Sequence, residues 1–189
     1  DISLNVLEKD PKNFNALQLL GIIDYQKKNF LNSAEMFKKS ININPNHAES
    51  YNNYSLALSN LNKFEEAIAS WNNAIKINPN YAEAFYNQGN AYLELKKFNS
   101  ALESYNQAIK IKPDYKQAYN NRGNVLKDLR LLNEAIKSYN QAIKIKPINA
   151  EEYNNCGNIY LELKLLNEAV KYYNEAIKIN PNYAEAHYN

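Results

Sequence analysis

The apolar residues of this chain recur in pairs of segments, each with the three- and four-residue spacing of one helix face. Between residues 82 and 115, the spacing predicts one helix over about 83–95 and a second over about 98–111. Pro113 then prevents further helix, because proline lacks an N–H group and disfavours helical backbone at the preceding residue. The positions that carry this pattern are Phe85, Gly89, Tyr92, Phe98, Ala101, Leu102, Tyr105, Ala108 and Ile109.

Proline and glycine both fall at a fixed period of 34 residues. All six prolines share one phase, and all four glycines share another, in which Ser55 takes the remaining place. Such spacing is typical of a repeat array. With each proline counted as position 32, the predicted full repeats are 14–47, 48–81, 82–115, 116–149 and 150–183. Residues 1–13 are then predicted to end the second helix of an earlier repeat, and residues 184–189 to begin a further repeat.

Small and large residues occupy separate positions of each repeat. In the third repeat, Gly89, Ala101 and Ala108 lie where two helix surfaces are predicted to touch, since a larger side chain would hold the helices apart. Aromatic side chains fill the remaining space, and because each one recurs at the 34-residue period we predict that they form the core. The aromatic residues at position 24 are Phe37, Trp71, Tyr105, Tyr139 and Tyr173.

The repeats resemble the tetratricopeptide repeat, whose signature is an aromatic residue, Leu-Gly, Tyr, Ala, a second aromatic residue and a closing proline. The third repeat matches it with Phe85, Gln88-Gly89, Tyr92, Ala101, Tyr105 and Pro113. This resemblance implies an all-α, right-handed superhelical solenoid of antiparallel helical hairpins. It also implies that the first helix of each hairpin lines a concave groove, and that the chain is an interaction scaffold and not an enzyme.

Asparagine dominates the face of the first helices that the resemblance assigns to the groove. Position 6 is Asn in repeats two to five, and position 9 is Asn in repeats three to five. A carboxamide offers both donors and an acceptor, so it can pair with the backbone of an extended peptide. The predicted peptide-binding residues are Asn53, Asn87, Asn121, Asn155, Asn90, Asn124, Asn158 and Tyr86.

This row of amides resembles the asparagine ladder in the superhelix of O-linked N-acetylglucosamine transferase, where comparable positions hold extended substrates. Residues 118–124, with the sequence Ala-Tyr-Asn-Asn-Arg-Gly-Asn, are close to the repeats of that enzyme. The same asparagines have an alternative role, which is hydrogen bonding between neighbouring helices. Replacement by Ala separates the two roles, because loss of binding indicates a ligand contact and unfolding indicates a structural one.

The composition restricts the chemistry. Two histidines and one cysteine do not make a metal set or an acid–base dyad, and glycines 34 residues apart do not make a phosphate-binding loop. We therefore predict no catalytic residue, no metal site and no cofactor. Glutamate pairs such as Glu151–Glu152 are predicted to be solvated at helix starts, and Cys156 is predicted to be buried in a position that takes Leu in the family.

A net charge of +2 does not indicate nucleic acid or a membrane surface as a partner, and no apolar run is long enough to cross a bilayer. The expected partner is a protein or peptide, and the expected location is the cytoplasm. Two alternatives to a peptide-binding scaffold stay open. One is the substrate-recognition arm of a larger enzyme such as a glycosyltransferase, and the other is self-association through repeat ends that lack the polar caps of solenoids.

Overall fold

A computed structural model describes residues 10–188, so the expectation for residues 1–9 and for Asn189 lies outside the described part. Within residues 10–188 the chain forms eleven α-helices and no strand. In the segment 82–115 the observed helices begin and end within one residue of the predicted ones. The helices are α1 (Phe14–Gln26), α2 (Phe30–Ile43), α3 (Ala48–Asn60), α4 (Phe64–Ile77), α5 (Ala82–Glu94), α6 (Phe98–Ile111), α7 (Lys116–Asp128), α8 (Leu132–Ile145), α9 (Ala150–Glu162), α10 (Leu166–Ile179) and α11 (Ala184–Tyr188).

The helices belong to two compact units, one that ends at Lys97 and one that begins at Phe98. Unit 1 contains α1 to α5, and α1 packs on α2 as α3 packs on α4. Unit 2 contains α6 to α11, and α7 packs on α8 as α9 packs on α10. The boundary lies between the two helices of the predicted third repeat, so each unit holds two whole hairpins and one helix of the third.

The turn inside each hairpin has the same backbone geometry. Asn62 has φ 59°, its N–H bonds to the Ser59 carbonyl at 3.0 Å, and the Lys63 N–H bonds to the Leu58 carbonyl at 3.0 Å. These bonds form a Schellman motif, which ends a helix with one left-handed residue. The chain uses no glycine there and places a charged or amide side chain in the left-handed conformation instead. The five left-handed residues are Lys28, Asn62, Lys96, Arg130 and Lys164.

The aromatic residues at position 24 form the core, as predicted. Phe37, Trp71, Tyr105 and Tyr139 are each at most 1 % exposed, and Tyr173 is 6 % exposed. The glycines at position 8 permit this packing. A Cβ atom added at Gly123 would lie 2.8 Å from a ring carbon of Tyr139, and one added at Gly157 would lie 2.5 Å from a ring carbon of Tyr173.

Candidate peptide-binding face

The predicted binding residues all lie on first helices of the hairpins, and most of them are half-buried. Unit 1 and unit 2 each carry four of them, at positions one helical turn apart, so that positions 6 and 9 share one face. In unit 1 they are Asn53 on α3 and Tyr86, Asn87 and Asn90 on α5; in unit 2 they are Asn121 and Asn124 on α7 and Asn155 and Asn158 on α9.

The position 9 asparagines of unit 2 bind the core of their own repeat. The Tyr139 hydroxyl donates a hydrogen bond to Oδ1 of Asn124 at 2.6 Å, and the Tyr173 hydroxyl donates to Oδ1 of Asn158 at 2.8 Å. Burial raises the pKa of both tyrosines, which keeps each hydroxyl a donor. The oxygen of each carboxamide is therefore engaged by the protein itself, which is the alternative role that the sequence left open.

Unit 1 shows why position 9 varies. In its first repeat, position 9 is Ile22 and the position 24 aromatic is Phe37, which has no polar group to satisfy. Repeat two has Leu56 at position 9, and there Nε1 of Trp71 donates to Oδ1 of Asn52 at 3.0 Å instead. Position 9 is thus Asn where it accepts a hydrogen bond from a core tyrosine. It is apolar where the aromatic residue has no polar group or finds its acceptor elsewhere.

Asn53, Asn87 and Asn155 at position 6 differ in this respect. Asn53 accepts only a long hydrogen bond, at 3.5 Å, from the side chain of Asn52. Within residues 10–188, no side-chain hydrogen bond involves Asn87 or Asn155. Both are half-buried on α5 and α9. Their carboxamides therefore retain the donors and the acceptor that a peptide backbone would use.

A cavity of about 340 Å³ opens beside Asn53 in unit 1. Ile22, Leu56 and the ring of Phe37 give it an apolar wall, and Gln26 and Asn53 add uncharged amides. Ile22 is 40 % exposed and Leu19, one turn before it, is 49 % exposed. The first helices of unit 1 therefore carry a concave apolar site of the size that binds small apolar groups.

The matches to known proteins agree with this geometry. A family model described as TPR repeat matches residues 56–96, 89–129 and 132–164, and two models described as tetratricopeptide repeat match residues 150–183 and 36–69. The chain belongs to the tetratricopeptide repeat family. No protein of curated function matches it.

Solved structures of tetratricopeptide repeat type show the same fold over almost the whole chain. A crystal structure of MamA has a TM-score of 0.83 at 25 % identity and covers 91 % of this chain and 94 % of its own. YrrB, titled a TPR protein with an unusual peptide-binding site, has a TM-score of 0.82 at 16 % identity. The match covers 100 % of this chain and 97 % of the YrrB chain. PilF of Pseudomonas aeruginosa has a TM-score of 0.81 at 19 % identity. The match covers 98 % of this chain and 85 % of the PilF chain. The all-α tetratricopeptide repeat solenoid is therefore the fold of this chain.

A second asparagine row, at position 25 of the second helices, joins neighbouring tetratricopeptide repeats. Nε2 of Gln88 donates to Oδ1 of Asn72 at 2.7 Å in unit 1. In unit 2, Nη1 of Arg122 donates to Oδ1 of Asn106 at 2.8 Å. In both pairs a position 7 side chain bonds the position 25 amide of the preceding repeat. Sequence reasoning missed this row, although the recurrence of Asn at position 25 was a signal that could have found it.

The prediction that Glu152 is solvated was wrong. Glu152 is 2 % exposed, because position 3 faces the preceding repeat and takes small residues such as Ala84 and Ala118 elsewhere. Its Oε1 accepts hydrogen bonds from Asn120 Nδ2 and from Asn149 Nδ2, and it pairs with the Lys116 ammonium at 3.0 Å. Ion pairing and amide bonds at Oε1 offset part of the cost of desolvating this carboxylate, whose Oε2 is buried without a hydrogen-bond partner among the described residues.

Cys156 is buried as predicted, at 0 % exposure, and burial raises its thiol pKa to about 12. Across the described residues, no group of three or more His, Cys, Asp or Glu side chains could hold a metal ion. None of the helices described in residues 10–188 is both long and apolar enough to cross a membrane.

Proposed function

We propose that this chain is a protein-interaction scaffold that binds an extended segment of a partner protein on the face of its first helices. The observation that carries the proposal is the apolar cavity beside Asn53 in unit 1, where an uncharged site opens next to a carboxamide. A peptide with a bulky apolar side chain fits both features. The side chain enters the cavity, and the backbone beside it pairs with the amide.

The position 6 amides extend this contact within each unit. Asn53 and Asn87 lie on consecutive first helices of unit 1, and Asn121 and Asn155 on consecutive first helices of unit 2. Neighbouring helices pack roughly 8–10 Å apart, and an extended chain advances about 3.3 Å per residue. One amide per helix therefore suits about every third residue of a peptide. These amides recognise the peptide backbone, and the cavity adds a preference for a bulky apolar side chain.

The similarity to YrrB supports the proposal, because the printed title of that structure describes a peptide-binding site in a protein of the same fold. The energetics favour modest affinity. Each neutral hydrogen bond contributes roughly 0.5–1.5 kcal/mol net, and ordering the peptide offsets part of the sum.

A peptide array probed with the purified chain would supply a ligand, and cavity variants would then test the site. Ile22→Asn places in the cavity wall the residue that occupies position 9 in repeats three to five. We expect about tenfold weaker binding, because an apolar side chain of the ligand loses its apolar partner. Leu31→Asn is the control, since Leu31 is 70 % exposed and lies outside the cavity. Equal affinity for the two variants would contradict the proposal.

A further inference from the structure

Arg122 is the one charged residue at position 7. The other repeats place uncharged side chains there, and the signature of the family has Leu. Arg122 is half-buried, with its guanidinium 5.2 Å above the ring of Tyr119. A charged group in this position is costly to desolvate unless something compensates for its charge. The uncharged equivalents are Leu20, Tyr54, Gln88 and Cys156.

Neutral groups are the hydrogen-bond partners of this guanidinium. Nη1 donates to Oδ1 of Asn106 at 2.8 Å, and Nε donates to Oγ of Ser138 at 3.0 Å. Of the ion pairs found among residues 10–188, none includes Arg122. Burial accordingly lowers its pKa. These two bonds use two of the five N–H donors of a guanidinium, so donors remain for an anionic oxygen.

The guanidinium lines a cavity of about 250 Å³ in unit 2, bounded by α6, α7 and α8. Lys137 brings a second positive charge and Glu134 one negative charge, so the lining carries a net charge of about +1. Leu102 and Leu126 add apolar walls. One net positive charge between apolar walls suits a monoanion on a short apolar stem better than a dianion.

We propose that this cavity binds a carboxylate on a short apolar stem, the chemistry of an acidic side chain of a partner protein, through the guanidinium of Arg122. The carboxylate accepts charge-assisted hydrogen bonds from the donors that Asn106 and Ser138 do not use. The cavity is bounded partly by second helices, and it does not include any of the predicted groove asparagines. The site is therefore separate from the proposed peptide-binding face and does not depend on it.

The chain contains only two arginines, Arg122 and Arg130, which makes the test direct. A ¹H–¹⁵N spectrum of the arginine Nε groups should contain two signals, and Arg130, ion-paired with Glu162 on the surface, is the internal control. Sodium butyrate is the probe, because it is a carboxylate on a short apolar stem. Butyramide is the uncharged probe of the same shape, and sodium phosphate is the dianionic one.

We expect butyrate to shift the Arg122 signal with saturation while Arg130 changes little. Butyramide should bind at least about tenfold more weakly, because it lacks the charge-assisted bonds. The matched variant is Arg122→Gln, which copies the Gln88–Asn72 pair of unit 1 and keeps a bond to Asn106. Backbone amide shifts should show that this variant folds. They should also show that it binds butyrate at least about tenfold more weakly than the wild type does.

Three results would overturn the proposal. The first is no saturable shift of the Arg122 signal with butyrate, and the second is equal binding of butyramide. The third is tighter binding of phosphate than of butyrate, which would assign the cavity to a phosphate group instead.

Discussion

The hydroxyl of Tyr139 donates a hydrogen bond to the side-chain oxygen of Asn124, at 2.6 Å, from a side chain that is 1 % exposed. Tyr173 and Asn158 repeat the relationship 34 residues later. Asn124, which the sequence predicts to bind a ligand, therefore accepts the hydrogen bond of a core tyrosine. Position 9 and position 24 act as a pair, and this pairing can be measured as a coupling energy.

The pair predicts the outcome of a double-mutant cycle. Asn124→Ile alone should lower the free energy of unfolding by about 1–3 kcal/mol, because it leaves the buried Tyr139 hydroxyl without a partner. Asn124→Ile with Tyr139→Phe should recover most of that loss, since it copies Ile22 and Phe37 of the first repeat. Urea denaturation of the wild type, the two single variants and the double variant gives the coupling energy. Additive effects would show that the hydrogen bond contributes nothing.

Gly157 should not tolerate a methyl group. In Gly157→Ala the new Cβ would lie 2.5 Å from a ring carbon of Tyr173, so the ring must move. Overpacking should cost about 1–3 kcal/mol in the free energy of unfolding, and the roughly 1 kcal/mol that Ala gains over Gly in a helix offsets part of it, so we expect a net loss of up to about 2 kcal/mol. Ser55→Ala is the control at the same repeat position, where a Cβ is already present. It removes the hydrogen bond from the buried Ser55 hydroxyl to the Tyr51 carbonyl, but the higher helix propensity of Ala offsets this loss, so stability should change by less than about 0.5 kcal/mol. Equal effects in thermal unfolding would contradict this account of position 8.

Replacement of Lys96 by glycine should stabilise the protein. It has φ 55° in a hairpin turn, a conformation that costs a lysine roughly 1–2 kcal/mol and costs glycine nothing, although glycine also gains entropy in the unfolded chain. Lys96→Gly is therefore expected to raise the free energy of unfolding by about 0.5–1 kcal/mol. Asn62→Gly, at the same position with φ 59°, should change it much less, because Asn tolerates this conformation. Chemical denaturation that shows Lys96→Gly to be neutral or destabilising would refute the prediction.

The thiol of Cys156 should report unfolding. It is fully buried, and burial, with a smaller contribution from Glu152, raises its pKa to about 12. The reactive thiolate is thus scarce at pH 8, and the folded protein should resist iodoacetamide while the urea-unfolded protein reacts fully. Mass spectrometry of the alkylated chain gives the labelled fraction. Rapid labelling of the folded protein would mean that α9 opens frequently.

The sequence was sufficient for the helices and the core, and it was insufficient for the polar contacts between helices. Proline and glycine periodicity defined the hairpins, and the recurrence of Tyr139 and Tyr173 identified them as core. Periodicity reports which residues share a helix face, but a hydrogen bond such as Tyr139–Asn124 depends on the relative position of two helices. For the same reason the sequence wrongly predicts that Glu152 is solvated. The preceding repeat, and not its own helix, buries this side chain.

The central claim is that the position 6 amides of the first helices bind a ligand, whereas the position 9 amides Asn124 and Asn158 bind core tyrosines. The most direct test is the fluorescence anisotropy of one array-selected peptide, titrated with Asn53→Ala/Asn87→Ala of unit 1 and with a control, Asn32→Ala/Asn73→Ala, in exposed sites of α2 and α4 of the same unit. The account predicts about tenfold weaker binding by the first variant, from two lost hydrogen bonds, with stability within about 0.5 kcal/mol of the wild type. Affinity equal to that of the control, or a large loss of stability, would contradict it.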